Sequence, residues 1–175
     1  SNGLQDLIVG EDPFSPEKLY EKIFKLTDTR QSNEKGWSRE ALIRISAALD
    51  IACWDLIGKA SKIPLYKLFG GFRNKIPVYV TCAYYRDGKD EKELRKELQK
   101  LIKIGHQSFK VKVGGLSIKE DAKRLEIIRE EIGDNKDLMI DVNRAWDLKT
   151  AIEGVKEFGR FNPTWIEEPV YWFFY

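Results

Sequence analysis

Cysteine and histidine are scarce: the 175 residues contain two cysteines, Cys53 and Cys82, and a single histidine, His106. Two cysteines cannot build a disulfide framework, and their apolar neighbours mark them as reduced core thiols, which places the chain in the cytoplasm. His106 precedes a strand-like run on the side away from that run's charged end, so it reads as a turn residue and leaves no histidine to serve as base or ligand. Neither sign of charge dominates, with 30 basic and 28 acidic residues interspersed and a net charge of +2. Nothing in that balance favours a polyanion, and nucleic acid is not expected as a partner. Long apolar runs are missing too. Stretches such as Ile76–Tyr85 fall well short of the roughly 20 residues that span a bilayer, and no basic, apolar and small-residue leader opens the chain, so no membrane partner is expected. Low-complexity tracts and internal repeats beyond a strand–helix alternation are absent.

What is present, 42% hydrophobic and 33% charged residues, suffices for a soluble globular core of one or two domains. The opening is helical. Ser15-Pro16 predicts a helix start with Ser15 as cap and Pro16 at the first position, followed by a stripe of Leu19, Ile23 and Leu26. Thr27 to Gly36 is polar and turn-rich. A second helix is predicted from Ser38 to about Gly58, with Leu42, Ile45, Leu49, Ala52 and Leu56 inward, and a short one starts at Pro64 and stops at Gly70-Gly71. Strands and helices then alternate. Val78–Tyr84, Phe109–Val113, Leu138–Val142 and Trp165–Glu167 read as strands, and Glu91–Ile104, Ile118–Ile132 and Leu148–Phe158 as helices. Such alternation predicts an α/β fold with a parallel sheet, either open or curling into a (β/α) TIM-type barrel of which about four βα units are represented.

Three of these strands deliver charge at one end: Lys110 and Lys112, then Asp141 with Asn143 beyond it, then Glu167 and Glu168. A little under 30 residues separates Lys112 from Asp141 and Asp141 from Glu167, about one strand, helix and return, so the charges recur at equivalent strand ends. Lys110 and Lys112 are two apart and project to one face. Two ammonium groups in a poorly solvated site are expected to lower each other's pKa toward neutrality, which would suit one of them to act as a general base. Asp141 and Glu167 are hard oxygen donors of the kind Mg2+ accepts. A metal holding a substrate carboxylate, beside an amine that takes the neighbouring proton, is a design for acidifying a carbon acid.

Each residue has a plainer use. The lysines could line the solvent side of an edge strand, Asp141 could cap a turn, and Asn143 could hydrogen-bond substrate or merely settle a loop. Alternation puts Glu167 and Glu168 on opposite faces, so only one can face the metal directly. Arg144 and Trp146 lie beyond a strand end, where substrate contact and simple structure are both open. Trp54 and the aromatic run Tyr171 to Tyr175 read as packing, and Gly114-Gly115 as a strand-end turn.

Taken together, Ala48-Leu49-Asp50-Ile51-Ala52-Cys53-Trp54-Asp55-Leu56-Ile57-Gly58-Lys59, the Pro64–Gly71 segment, Lys110-Val111-Lys112, Asp141-Val142-Asn143 and Trp165-Ile166-Glu167-Glu168-Pro169 resemble the enolase superfamily, in its mandelate racemase and muconate lactonizing enzyme branch. The resemblance runs over roughly residues 38 to 170 and rests on the ordered set, since any one motif alone is weak. It implies a remnant of an amino-terminal capping domain and loop over 1–37, then a helical junction and the first half of a barrel over 38–175. It further implies Lys112 as base, Lys110 tuning it and helping to hold the substrate carboxylate, Asp141 and Glu167 as ligands of Mg2+, and Asn143 near the substrate. The use of a Lys base with magnesium against an ene-diolate is general to the superfamily.

The activity so implied is abstraction of the proton α to a carboxylate through an enolate, with acid-sugar dehydration preferred because Arg144 and Trp146 follow Asp-Val-Asn. Racemase, epimerase or cycloisomerase chemistry is the neighbouring alternative. The expected partner is a small-molecule carboxylate, and the expected assembly a homo-oligomer. A complete barrel takes about 250 residues, and the family's third metal ligand and opposite-face acid or base fall on later strands, so the fragment by itself is expected to be inactive. A non-catalytic folding or assembly module is the alternative from a different class.

Overall fold

The computed structural model describes residues 3–28 and 34–171. Part of the polar stretch expected as a loop over Thr27–Gly36, and residues 172–175 of the terminal aromatic run, lie outside them. Contacts divide the chain into two compact units, Ser1–Ile76 and Pro77–Tyr175. The sequence reading divides it after residue 37.

In the first unit, α1 (Gln5–Ile8) and α2 (Pro16–Phe24) precede a 3-10 turn at Lys25–Asp28, and α3 (Arg39–Ser61) and α4 (Leu65–Leu68) follow. Pro16 does stand at the start of α2, but the Ser15 side chain makes no capping bond. Ser38 does cap α3, accepting from the Ala41 amide at 3.1 Å. α3 runs three residues past Gly58 and ends where Lys62 turns left-handed. Gly58 sits where a Cβ would lie 3.0 Å from the Leu65 side chain, so the return of α4 leaves little room there. Of the expected stripe on α3 only Leu42 is buried. Ser46, Cys53 and Gly58 complete the buried face, and Ile45, Ala52 and Leu56 are exposed. The nine-residue α2 covers one strip of a 23-residue partner, and that strip decides which face is dry.

The second unit holds β1 (Val80–Cys82), α5 (Glu91–Ile104), β2 (Ser108–Lys112), α6 (Ile118–Ile132), β3 (Asp137–Asp141), α7 (Leu148–Phe158), a 3-10 turn at Gly159–Phe161 and β4 (Trp165–Glu167). The strands are all parallel and lie in chain order β1-β2-β3-β4. Right-handed crossovers between successive neighbours put every helix on the same side, the arrangement of a barrel wall rather than of a doubly wound sheet. This is the α/β, partial-barrel fold class expected from the alternation.

Register separates the two faces. Phe109, Val111, Leu138 and Ile140 point toward the helices and join Leu94, Leu98, Ala122, Leu125, Ile128, Ile132 and Phe158 in one dry core. On α6, Ala122, Leu125, Ile128 and Ile132 are the inward positions that the 3.6-residue period selects, and on α5 Leu94 and Leu98 are buried while Leu101 and Ile102, expected inward as well, are partly buried. The opposite face carries Lys110, Lys112, Met139, Asp141, Trp165 and Glu167. β1 is shorter than the expected Val78–Tyr84, because Ala83 turns left-handed (φ 54°) and ends it.

Cys82 lies on the helix-facing side of β1 and is 1% exposed, and burial pushes its thiol up to about 12. Both cysteines are free and buried. The thiolate is the reactive form, so Cys82 in the native chain is expected to resist iodoacetamide at pH 8 and to alkylate quickly once the chain is unfolded. Equal rates in the two states would show that β1 opens freely.

Candidate active site

Every strand of the sheet is followed, one or two residues on, by a left-handed residue: Ala83 (φ 54°), Gly114 (φ 90°), Asn143 (φ 51°) and Glu168 (φ 44°). Three of the four are not glycine, and such backbone persists only where its surroundings over-determine it. The strand ends therefore turn sharply at a common rim, and the last side chain of each strand is held there. Lys112, Asp141 and Glu167 are register partners on three neighbouring strands. Same-level residues of parallel strands project to the same side, about 4.8 Å apart.

Asp141 is the hub. Its carboxylate is 2% exposed and receives both amines on one oxygen: Lys112 Nζ donates to Oδ2 at 2.7 Å and Lys110 Nζ lies 2.9 Å from the same atom. Oδ1 accepts the Asn143 backbone N–H at 3.0 Å, a bond that the left-handed turn permits. Lys110 also donates to Glu167 Oε1 at 2.8 Å, and Lys112 to Asn143 Oδ1 at 2.7 Å. The Trp165 indole N–H donates to Glu167 Oε2 at 3.3 Å. All five expected site residues, Lys110, Lys112, Asp141, Asn143 and Glu167, thus form one connected cluster. Glu168 turns away to Arg144, 3.5 Å distant.

The plainer use of the lysines on an edge strand does not apply, because β2 is paired on both sides. One expectation changes: Lys110 does not have the lowered pKa expected from two neighbouring ammonium groups. Burial does disfavour its charge, but the hydrogen bonds to Glu167 and Asp141 outweigh burial and hold the amine above its ordinary value. Register is the reason: it inserts a carboxylate between the two amines, and an opposite charge in contact overrides a like charge further off. For Asp141, burial pushes the pKa up, while the bonds from Lys112, Lys110 and the Asn143 amide win and leave the carboxyl below its ordinary range.

Trp146, open between substrate contact and packing, is a core residue. It is 7% exposed, its ring lies 5.6 Å from that of Phe158, and a Cβ on Gly154 would lie 2.5 Å from its indole. Arg144 stands over the Tyr171 ring, 5.5 Å from its centroid. A groove of about 380 Å³ runs along the rim, lined by Tyr84, Tyr85, Lys112, Gly114, Val142 and Asn143. Several rim residues escaped the sequence reading. Tyr79 and Tyr84 set ring faces 5.7 and 5.8 Å from the Lys110 and Lys112 amines, and Tyr85, Asp121 and Arg124 join behind β2. Only the last group left a legible sign, the Ser117-x-x-Glu120 capping box that opens α6 with Asp121 as its next residue.

Asp141 and Glu167 are the side chains that could hold a hard divalent cation at this rim. Their chemistry fits, since one or two carboxylates with further oxygens from substrate and water is the usual arrangement for magnesium. Among the described residues no group of three His, Cys, Asp or Glu side chains is placed for a metal ion, so the fit is that of two protein donors.

Both parts of the chain match families of known proteins. Residues 93–173 match the family described as enolase C-terminal domain-like, and residues 1–70 match the mandelate racemase / muconate lactonizing enzyme, N-terminal domain. Arabinonate dehydratase of Saccharolobus solfataricus is 34% identical over 95% of this chain and 43% of its own length. N-succinyl-L-Arg/Lys racemase of Bacillus cereus is 32% identical over 95% of this chain and 41% of its own. A mandelate racemase/muconate lactonizing enzyme from a marine actinobacterium, crystallised in complex with magnesium, superposes with a TM-score of 0.77 at 32% identity, over 98% of this chain and 46% of that one. The chain therefore spans less than half the length of these relatives. With its helical opening and its sheet both matched in chain order, the chain belongs to the mandelate racemase/muconate lactonizing enzyme branch of the enolase superfamily.

Proposed function

We propose that this rim is the base-and-metal half of an active site that removes the proton α to a carboxylate, and that in a complete barrel the reaction is dehydration of an acid sugar. The observation that carries the reading is the shared register of Lys112, Asp141 and Glu167 on one face. Lys112, in its uncharged form, takes the α-proton on Nζ. Asn143 and Asp141, each 2.7 Å from that nitrogen, orient it. Lys110 is the cation that receives a substrate carboxylate oxygen, and the face of Tyr79 beside it limits how its stem can swing. Asp141 and Glu167 would hold Mg2+, with Trp165 keeping the glutamate in place through Oε2. When bound, the metal supplies positive charge against the carboxylate oxygens as the neighbouring carbon gives up its proton.

The dehydratase name of one relative and the magnesium in the structural relative support this reading. The racemase among the relatives favours the neighbouring one, in which the same half-reaction is completed from the opposite face. By itself the 175-residue chain supplies one face and two protein donors, and we propose that it does not turn over.

The test is exchange of a substrate's α-proton with deuterated water, followed by mass spectrometry over a panel of sugar acids with magnesium present. A complete barrel carrying these residues is expected to exchange, and Lys112→Ala to slow it about 10²- to 10⁴-fold, the usual worth of a positioned base. The chain alone is expected to give no exchange. No exchange by the complete barrel anywhere in the panel would overturn the proposal, and exchange without net elimination would favour the racemase reading.

A further inference from the structure

Asp121, in the first turn of α6, is the most deeply buried carboxylate of the described residues, with no exposed surface. A buried carboxylate is costly unless its oxygens are all engaged, and here they are. Oδ1 accepts from the Tyr85 hydroxyl at 2.5 Å and from Arg124 Nη1 at 2.9 Å, and Oδ2 accepts from the Gly114 backbone N–H at 2.7 Å. The Arg124 guanidinium carbon lies 4.1 Å from the centroid of the Tyr85 ring, and the guanidinium also donates at the ends of two strands. Nη1 reaches the Lys112 carbonyl at 3.2 Å and Nη2 the Ala83 carbonyl at 2.7 Å. The Tyr85 oxygen takes the Gly115 N–H at 3.2 Å.

Ala83 and Gly114 are the left-handed residues that end β1 and lead out of β2. Gly114 is walled in, since a Cβ there would lie 3.0 Å from both Ala145 and Val142, and one on Gly115 would lie 2.7 Å from the Tyr85 ring. The loop after Lys112 is therefore closely packed, and Asp121 and Arg124 clamp it at the carbonyl before and the amide after Val113. None of the hydrogen bonds of Asp121, Tyr85 or Arg124 goes to the side chain of Lys112, Asp141 or Glu167. Their hold on the rim is through the backbone.

We propose that Tyr85, Asp121 and Arg124 are positioning residues: by fixing the Lys112–Gly114 backbone from the helix side they set where the Lys112 amine lies on the opposite face. The functional consequence rests on the reading of Lys112 as the base; the positional claim does not. A guanidinium suits this place because two nitrogens held in one plane reach separate acceptors, Nη1 the Asp121 carboxylate and the Lys112 carbonyl and Nη2 the Ala83 carbonyl, whereas an ammonium donates from a single point.

Arg124→Lys and Tyr85→Phe are the test variants, and Ile128→Val, in the same helix and facing the core, is the control for plain loss of stability. Limited modification with trinitrobenzenesulfonate, read by peptide mass spectrometry, gives the ratio of Lys112 to Lys110 labelling in the intact chain without any substrate. Both test variants are expected to raise that ratio at a temperature where circular dichroism shows them folded, and the control to leave it unchanged. In a complete barrel, kcat for α-proton exchange is expected to fall about 10²-fold, the scale of an ångström's misplacement, with KM little changed. An unchanged labelling ratio in a folded Arg124→Lys or Tyr85→Phe variant overturns the proposal. Should Arg124→Lys not fold, Tyr85→Phe, which removes a single hydroxyl, decides alone. If the ratio shifts but the complete barrel never exchanges, the base reading fails and the positioning claim stands.

Discussion

Replacement of Asp141 by alanine is expected to destabilise the second unit by about 3–5 kcal/mol, because it leaves two poorly solvated ammonium groups without the anion they share. The side chains of Lys110 and Lys112 are 11% and 17% exposed, and both bind the same oxygen of a carboxylate that is 2% exposed. With that oxygen gone, Lys110 keeps Glu167, and Lys112 keeps the neutral Asn143 amide and the face of Tyr84 but no anion. Asp141→Asn, which preserves an acceptor and the shape, is expected to cost less. A triple change of Asp141, Lys110 and Lys112 to apolar residues of similar volume is expected to recover much of the loss, since the desolvation cost goes with the charges. Urea unfolding followed by circular dichroism measures all three, and an Asp141→Ala midpoint equal to that of the native chain would remove Asp141 from the centre of the cluster.

The sign of the pH dependence follows from the two shifts. The carboxyl of Asp141 lies below its ordinary value of 3.8, so its contribution is present above that pH and is lost as pH falls below it. The amine of Lys110 lies above its ordinary value of 10.5, so its contribution is present below that pH and is lost as pH rises beyond it. Between those limits the cluster's contribution is expected to be flat.

Phe109→Ala is the second large effect. Phe109 has no exposed surface and sits in the middle strand region with register partners Val80 and Leu138 on either side. Truncation removes most of a buried aromatic and leaves a cavity, at a cost of about 3–5 kcal/mol. Against a total of about 5–15 kcal/mol for a domain, that is a large fraction. The melting temperature is expected to fall by at least about 10 °C for a unit of this size. Ile152→Ala on α7, at a side chain 49% exposed, is expected to change stability by less than about 0.5 kcal/mol. A Phe109→Ala loss no larger than that would mean the helix-facing side of the sheet is not a packed core.

Local pattern carried far here. α5, α6 and α7 have the ends that periodicity and turn residues mark, because an amphipathic helix on a sheet declares its dry face every three or four residues. Strand parity placed Lys110 with Lys112 and set Glu167 apart from Glu168, since the two-residue repeat leaves no choice of face. In α3 the same reasoning chose the wrong face, because a helix apolar on several sides takes its dry strip from whichever partner covers it.

What the chain's own order of residues settled was which charges stand at strand ends and on which side of each strand they project. What only the folded sheet decided was their company. Register brought the Asp141 carboxylate between two amines and reversed the direction of the Lys110 shift, and the closing of loop on helix buried Asp121 behind Lys112. Periodicity is a property of neighbours along the chain, whereas the energy of a charge depends on the groups a few ångströms away in space, and those arrive from segments whose separation in sequence says nothing of their distance.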